Sequence, residues 1–223
     1  MASIRNPDSD RAVLKQLSEG LLQSAGRTGV RGSLLEIHHP DAPCFEPVFL
    51  HTSSELFGQF VRLSQGDQNR LNRKVRCESA QLPFQDRVFQ VVVLHHVVGD
   101  GFEPELEEAV RVLARDGLLI LLGLNRMGWR FRAQKRKGRM PGMAPLRIKG
   151  RLEELQMSMH GFAGAGLCGL SRPVWMNSGL ASLGAPLADV VLLEARHRNS
   201  PEVSSIQFRN SHTGVVQSAA MRG

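Results

Sequence analysis

Two apolar runs, Val88–Leu94 (VFQVVVL) and Leu118–Leu122 (LLILL), bracket a segment of helical periodicity, and this pairing restricts the fold most. Runs without polar alternation belong to strands covered on both faces. Between them, after Gly99-Asp100-Gly101, the stretch Pro104–Ala114 sets Leu106, Ala109, Val110 and Leu113 on one helical face, with Asp116-Gly117 predicted to stop it. Strand, helix and strand at this spacing form one crossover unit of a parallel sheet.

The rest of the chain extends that unit. Asp10 is placed to cap a helix over 10–25, with Val13, Leu14, Leu17 and Leu21 on one side and Gly26 and Gly29 beyond its end. Ser33–Ile37 reads as a strand, Pro47–Leu50 as a second, and Glu55–Leu63 as an amphipathic helix burying Leu56, Phe57, Phe60 and Val61. Arg73–Cys77 reads as a charged edge strand, Lys149–Met157 as a helix, 161–169 as a Gly-rich stretch and Ala188–Ala195 as the last strand. At 223 residues there is room for one sizeable core. The predicted organisation is an α/β domain over 1–197, with its core at 30–197, and a polar, aperiodic tail over 198–223 expected to be disordered.

Composition removes several function classes. With no tyrosine and 5% aromatic residues, the chain has few platforms on which single-stranded bases could stack. Cys44, Cys77 and Cys168 are scattered and odd in number, which argues against a disulfide framework or a zinc ribbon and favours a reducing, cytoplasmic setting. The opening MASIRNPDSD lacks the apolar core of a signal peptide, and no run approaches the roughly 18 apolar residues that span a bilayer. The net charge of +7 is local: 126–151 carries ten Lys or Arg and no acid, so the remainder is net acidic.

From Cys77 to Val98 the sequence resembles a class I S-adenosylmethionine-dependent methyltransferase of the type 11 group. Leu82-Pro83-Phe84 with Asp86 and Phe89 is similar to that family's approach to its fourth strand. Arg111-Val112-Leu113 with Asp116-Gly117, then Leu118–Asn125 and Ala188–Arg196, resemble the elements that follow; coverage is roughly residues 30–197. The resemblance implies a Rossmann-like fold: a mostly parallel central sheet, helices on both faces and an antiparallel last strand. It also implies S-adenosylmethionine as cofactor, held at the carboxyl ends of the strands.

The family's cofactor residues map unevenly. Glu36 sits where the first strand's acid belongs, but the following turn, His38-His39-Pro40-Asp41-Ala42, contains no glycine, so side chains occupy space that backbone alone should line. The acid that grips the ribose hydroxyls is matched to His51, with Thr52 beside it. Losing that charge-assisted bond weakens binding roughly 10- to 100-fold. Glu78 matches the acid that reads the adenine amino group, with Ser79 next to it.

The resemblance therefore nominates Glu36, His38, His51, Glu78, Ser79 and His95 for the cofactor, and His96, Asn125, Trp129 and Arg130 for the acceptor. If strands one and four are neighbours, His38-His39 and His95-His96 lie at one edge of the sheet, with His95 or His96 facing the ligand cleft. Clustered imidazoles can ligate a metal or act as a base, yet adjacent residues on a strand face opposite ways. A solvated crevice is the simpler reading, so neither a metal nor a catalytic residue is assigned. The glycines at 161, 164, 166 and 169 resemble a nucleotide loop in composition only, because they follow a helix and not a buried strand. The basic stretch after Asn125, with Trp129 and Phe131 inside it, suits an anionic surface or substrate. The leading expectation is methyl transfer to a small or lipid-like acceptor; the alternative is an inactive pseudo-methyltransferase serving as a scaffold for a protein partner.

Overall fold

The computed structural model describes residues 7–25, 32–42, 57–65, 70–72, 77–78, 80–134, 140–166, 174–175 and 187–198. His51, Ser79, the expected strand Pro47–Leu50 and the expected tail after Arg198 lie outside them.

Within these residues the chain runs α1 (Pro7–Ala25), β1 (Gly32–His38), β2 (Phe57–Gln65), β3 (Arg70–Asn72), β4 (Cys77–Glu78), β5 (Phe89–His95), α2 (Glu103–Val112) and β6 (Leu113–Asn125). It continues through α3 (Trp129–Gln134), β7 (Gly142–Met143), α4 (Pro145–Glu154), β8 (Met157–Ala165), β9 (Val174–Trp175) and β10 (Val190–His197). One sheet holds the described strands in the order β4-β3-β2-β1-β5-β6-β10-β8-β9, with β7 pairing β6. The centre, β2-β1-β5-β6, is parallel, and β10 enters antiparallel to β6. The expected architecture of a mostly parallel centre with an antiparallel last strand is the one observed.

Alternation along the central strands divides the core into two layers. On one face Leu34, Val91, Val93, Ile120, Leu122 and Leu192 pack beneath Leu14, Leu17, Leu21 and Leu22 of α1. On the other, Leu35, Val92, Leu94, Leu119, Leu121 and Val191 meet Leu106 and Ala109 of α2 and Ile148 and Leu152 of α4. The runs Val88–Leu94 and Leu118–Leu122 are thus covered on both sides, as a parallel centre requires.

Three local expectations are corrected. The segment Glu55–Leu63, read as a helix, contains β2, parallel to β1 with Leu35 opposite Val61 and His38 opposite Ser64. Val61 and Leu63 pack on the α2 side while Phe60 faces outward, a period of two that the clustered apolar residues masked. Asp116-Gly117 does not end α2: the helix stops at Val112 because Leu113 turns extended, and β6 begins there. The start of the Gly-rich stretch is β8, antiparallel to β10, where Ala163 and Ala165 are small enough for α1 to lie close above them.

The residues that carried the family resemblance are fold-holding. Arg111 on α2 donates to the carbonyls of Leu82 and Phe84 at 3.0 and 2.9 Å and to Asp86 Oδ1 at 2.6 Å, while Glu108 receives its Nε at 2.8 Å. Glu108 also accepts from the Leu82 amide at 2.8 Å. One guanidinium fork therefore pins the loop before β5 to the helix after it.

Candidate functional site

The carboxyl ends of β1, β2 and β5 bring Glu36, His38, Arg62 and His95 together on the α1 side of the sheet. Register fixes this: Glu36 lies opposite Arg62, and His38 opposite His95. Arg62 Nε donates to Glu36 Oε2 at 2.6 Å, and His95 Nδ1 lies 3.4 Å from Glu36 Oε1. Burial works to raise the Glu36 carboxyl, but the nearby His95 ring and Arg62 together outweigh it and hold the group below its ordinary value. Burial pushes His95 down, with the adjacent Glu36 pulling the other way.

The imidazoles close the tip. His95 and His96 are fully buried, their ring centroids 4.9 Å apart, and His38 is nearly so. His96 adopts φ 56°, an uncommon conformation for a residue with a side chain, which carries its ring toward α1, where Nε2 lies 3.3 Å from Ser18 Oγ. Burial, then the neighbouring His95 and His39, drive its pKa well below the usual value. Neither ring faces an open cleft, contrary to the expectation for at least one of them. Among the described residues no group of three or more His, Cys, Asp or Glu is arranged to hold a metal ion.

The turn after β1 spends its own donors. His39 N donates to His95 O at 3.0 Å, which ties the β1 tip to β5, and Ala42 N donates to His39 O at 2.9 Å. Asp41 N donates to His39 Nδ1 at 3.2 Å. Backbone N–H groups that a glycine-rich turn would leave for a ligand are bonded within the loop, and Ala42 is completely buried.

The remaining nominated residues are not gathered there. The carboxyl end of β2, level with His38, is Ser64, and His51 precedes that strand, so His51 does not end it. Glu78 lies on β4 at the outer edge, three strand spacings or about 14 Å of backbone from β1. Asn125 ends β6 nearby in the sheet, but its amide is committed: Nδ2 donates to Ala188 O at 2.8 Å and Oδ1 accepts from Met127 N at 3.1 Å. Arg130 pairs with Asp189 at 3.2 Å, while Trp129 stands exposed.

Arg62 is the residue that sequence reasoning missed. Its signal was the alternation Phe60-Val61-Arg62-Leu63, together with the short gap from Glu36 to His51, too tight for a strand, a crossover and a second strand.

No model of a known sequence family matches the chain, and neither does any curated protein. Solved structures do match in fold. A methyltransferase from Thermotoga maritima, described as a possible histamine N-methyltransferase, is 12% identical with a TM-score of 0.51, over 84% of this chain and 91% of that one. Geranyl diphosphate C-methyltransferase from Streptomyces coelicolor is 13% identical with a TM-score of 0.52, over 88% and 84%. A complex between the Haloferax volcanii Trm112 methyltransferase activator and a methyltransferase gives 10% and 0.52, over 85% and 94%. At these identities the likeness defines an architecture: the fold is that of the class I S-adenosylmethionine-dependent methyltransferases.

Proposed function

We propose that this chain is a pseudo-methyltransferase, a class I scaffold that no longer binds S-adenosylmethionine and acts by interaction. The observation that carries it is the Arg62–Glu36 pair. S-adenosylmethionine carries a sulfonium, an ammonium and a carboxylate, a net positive charge, so its binding is favoured by an acid at the end of β1 with unspent negative charge. Here a guanidinium within hydrogen-bonding distance supplies the counter-charge permanently, and a second cation would enter against it. The self-bonded turn at His39–Ala42 and the neutral Ser64 at the tip of β2 support the same reading.

The competing reading, methyl transfer to a small or lipid-like acceptor, draws on the fold and on neighbours such as the geranyl diphosphate enzyme. The Trm112 complex is a neighbour in which the fold is found with a protein partner, the role a scaffold would keep. Calorimetric titration of the full chain with S-adenosylmethionine and S-adenosylhomocysteine separates the two. No heat at millimolar ligand is expected; micromolar binding of either compound overturns the proposal.

A further inference from the structure

The described surface has six large exposed apolar side chains, and four of them belong to segments that meet at the carboxyl end of β6: Met127 at 60%, Trp129 at 69%, Leu146 at 87% and Leu187 at 62%. Their elements are locked together. A Cβ built on Gly128 would lie 2.8 Å from Ala188 O and 3.0 Å from Asp189 Cα, so the turn bearing Met127 and Trp129 abuts the segment bearing Leu187. Arg126 N donates to Met143 O at 2.9 Å, which brings in β7 and the start of α4. Arg126 and Arg147, the neighbours of Met127 and Leu146, both reach Asp100 Oδ1, at 2.6 and 3.7 Å.

Trp129 is displayed, not loose. Arg130 N donates to Asp189 Oδ1 at 2.9 Å and its guanidinium reaches the other oxygen, while the Phe131 ring packs against Gly142. A short helix fastened on its inner side holds an indole outward among cations. Arg132 on the same helix is exposed and makes no ion pair among the described residues.

We infer that this rim is a docking surface for an anionic phospholipid bilayer, bound peripherally. Leu, Met and Trp beside Arg132 fit the boundary between headgroups and acyl chains: the apolar tips enter and the cation that no described acid pairs meets phosphate. Acids from outside 126–151 pair with Arg126, Arg130, Arg147, Lys149 and Arg151, so the complementary charge comes from Arg132 and from Lys135, Arg136, Lys137 and Arg139 of the sequence. A nucleic acid would use that charge but not Leu146, Leu187 or Met127, and Trp129 alone makes a poor stacking track. No described helix is long and apolar enough to cross a membrane. This inference is independent of the cofactor reading, and its assay contains no S-adenosylmethionine, so either can fail alone.

The test is cosedimentation of the full chain with vesicles of phosphatidylglycerol and phosphatidylcholine, with pure phosphatidylcholine vesicles and poly(U) RNA run alongside. The wild type is expected on the anionic vesicles only, with partitioning that falls as salt rises. The double variant Trp129→Ser/Leu146→Ser, at two exposed positions, is expected to lose about tenfold or more while its circular dichroism and melting stay unchanged. Three results overturn the proposal: no sedimentation at low salt, retention undiminished in the folded double variant, or tighter binding to poly(U) than to vesicles.

Discussion

Glu194 offers a sharp test of how the sheet is packed. It lies on β10 between Ile120 of β6 and Gly161 of β8, only 6% exposed, and its Oε1 has no hydrogen-bond partner among the described residues. Burial lifts its pKa to about 7, with Arg196 pulling the other way. Because the folded state holds this proton more tightly than the unfolded chain, stability is highest below the unfolded value of 4.5 and falls as pH rises through about 7. The whole shift corresponds to about 3 kcal/mol; discounting it by half for solvent screening leaves about 1.5 kcal/mol. Glu194→Gln removes the ionisation and keeps the shape. Urea unfolding of both proteins should show the variant ahead by about 1–2 kcal/mol at pH 8.5, with that lead closing toward pH 4.5. In a thermal melt the alkaline lead corresponds to roughly 3–6 °C for a chain of this size. Titrating groups shared by both proteins cancel in this difference. A gap that is the same at both pH values refutes the idea that the carboxylate is buried and uncompensated.

Two further outcomes follow from the same structure. His96 is buried neutral with its pKa depressed, so stability is fully present above the unfolded value of 6.5 and is lost as pH falls below it, by up to about 1.4 kcal/mol per pH unit. Melting His96→Gln against the wild type at pH 7 and pH 5 should show a flatter acid limb in the variant, and an unchanged slope counts against burial of that ring. Arg111→Lys keeps the charge but loses the fork that reaches Leu82 O, Phe84 O and Asp86, and should cost about 1–2 kcal/mol in urea unfolding.

The sequence was most legible where one period governed a whole element. β5, α2 and the buried part of β6 announce themselves through unbroken apolar runs around a helical face, and β10 does so through VVLL. It was least legible in β2 and β8. In β2, Phe60, Val61 and Leu63 fit a helical stripe as well as a strand, and only pairing with β1 decides between them. In β8 the strand is written in Gly and Ala because α1 lies over it, so its sequence carries the helix's space requirement and little hydrophobic signal. The site was half legible. Glu36, His38 and His95 were found by strand order, but their partner Arg62 belongs to the misread strand, and the commitment of Asn125 to Ala188 depends on a contact 63 residues away.

The self-bonded turn at the β1 tip and the order of the sheet have a common physical reason. Leu34, Leu35 and Ile37 are buried in the two core layers and hold β1 in the sheet, whereas the turn after His38 contributes only Ala42 to the interior. Glycines in such a turn serve a ligand more than they serve stability, since each adds backbone entropy to the unfolded chain. Side chains that bond such a turn to itself favour stability, and His39 does so through both its ring and its carbonyl. The buried Glu36 still needs a counter-charge, and Arg62 across the register provides it. Replacing Arg62 alone should therefore strand a carboxylate that the fold now neutralises internally. Arg62 thus holds, beside Glu36 at the β1 tip, the place that a cation would take.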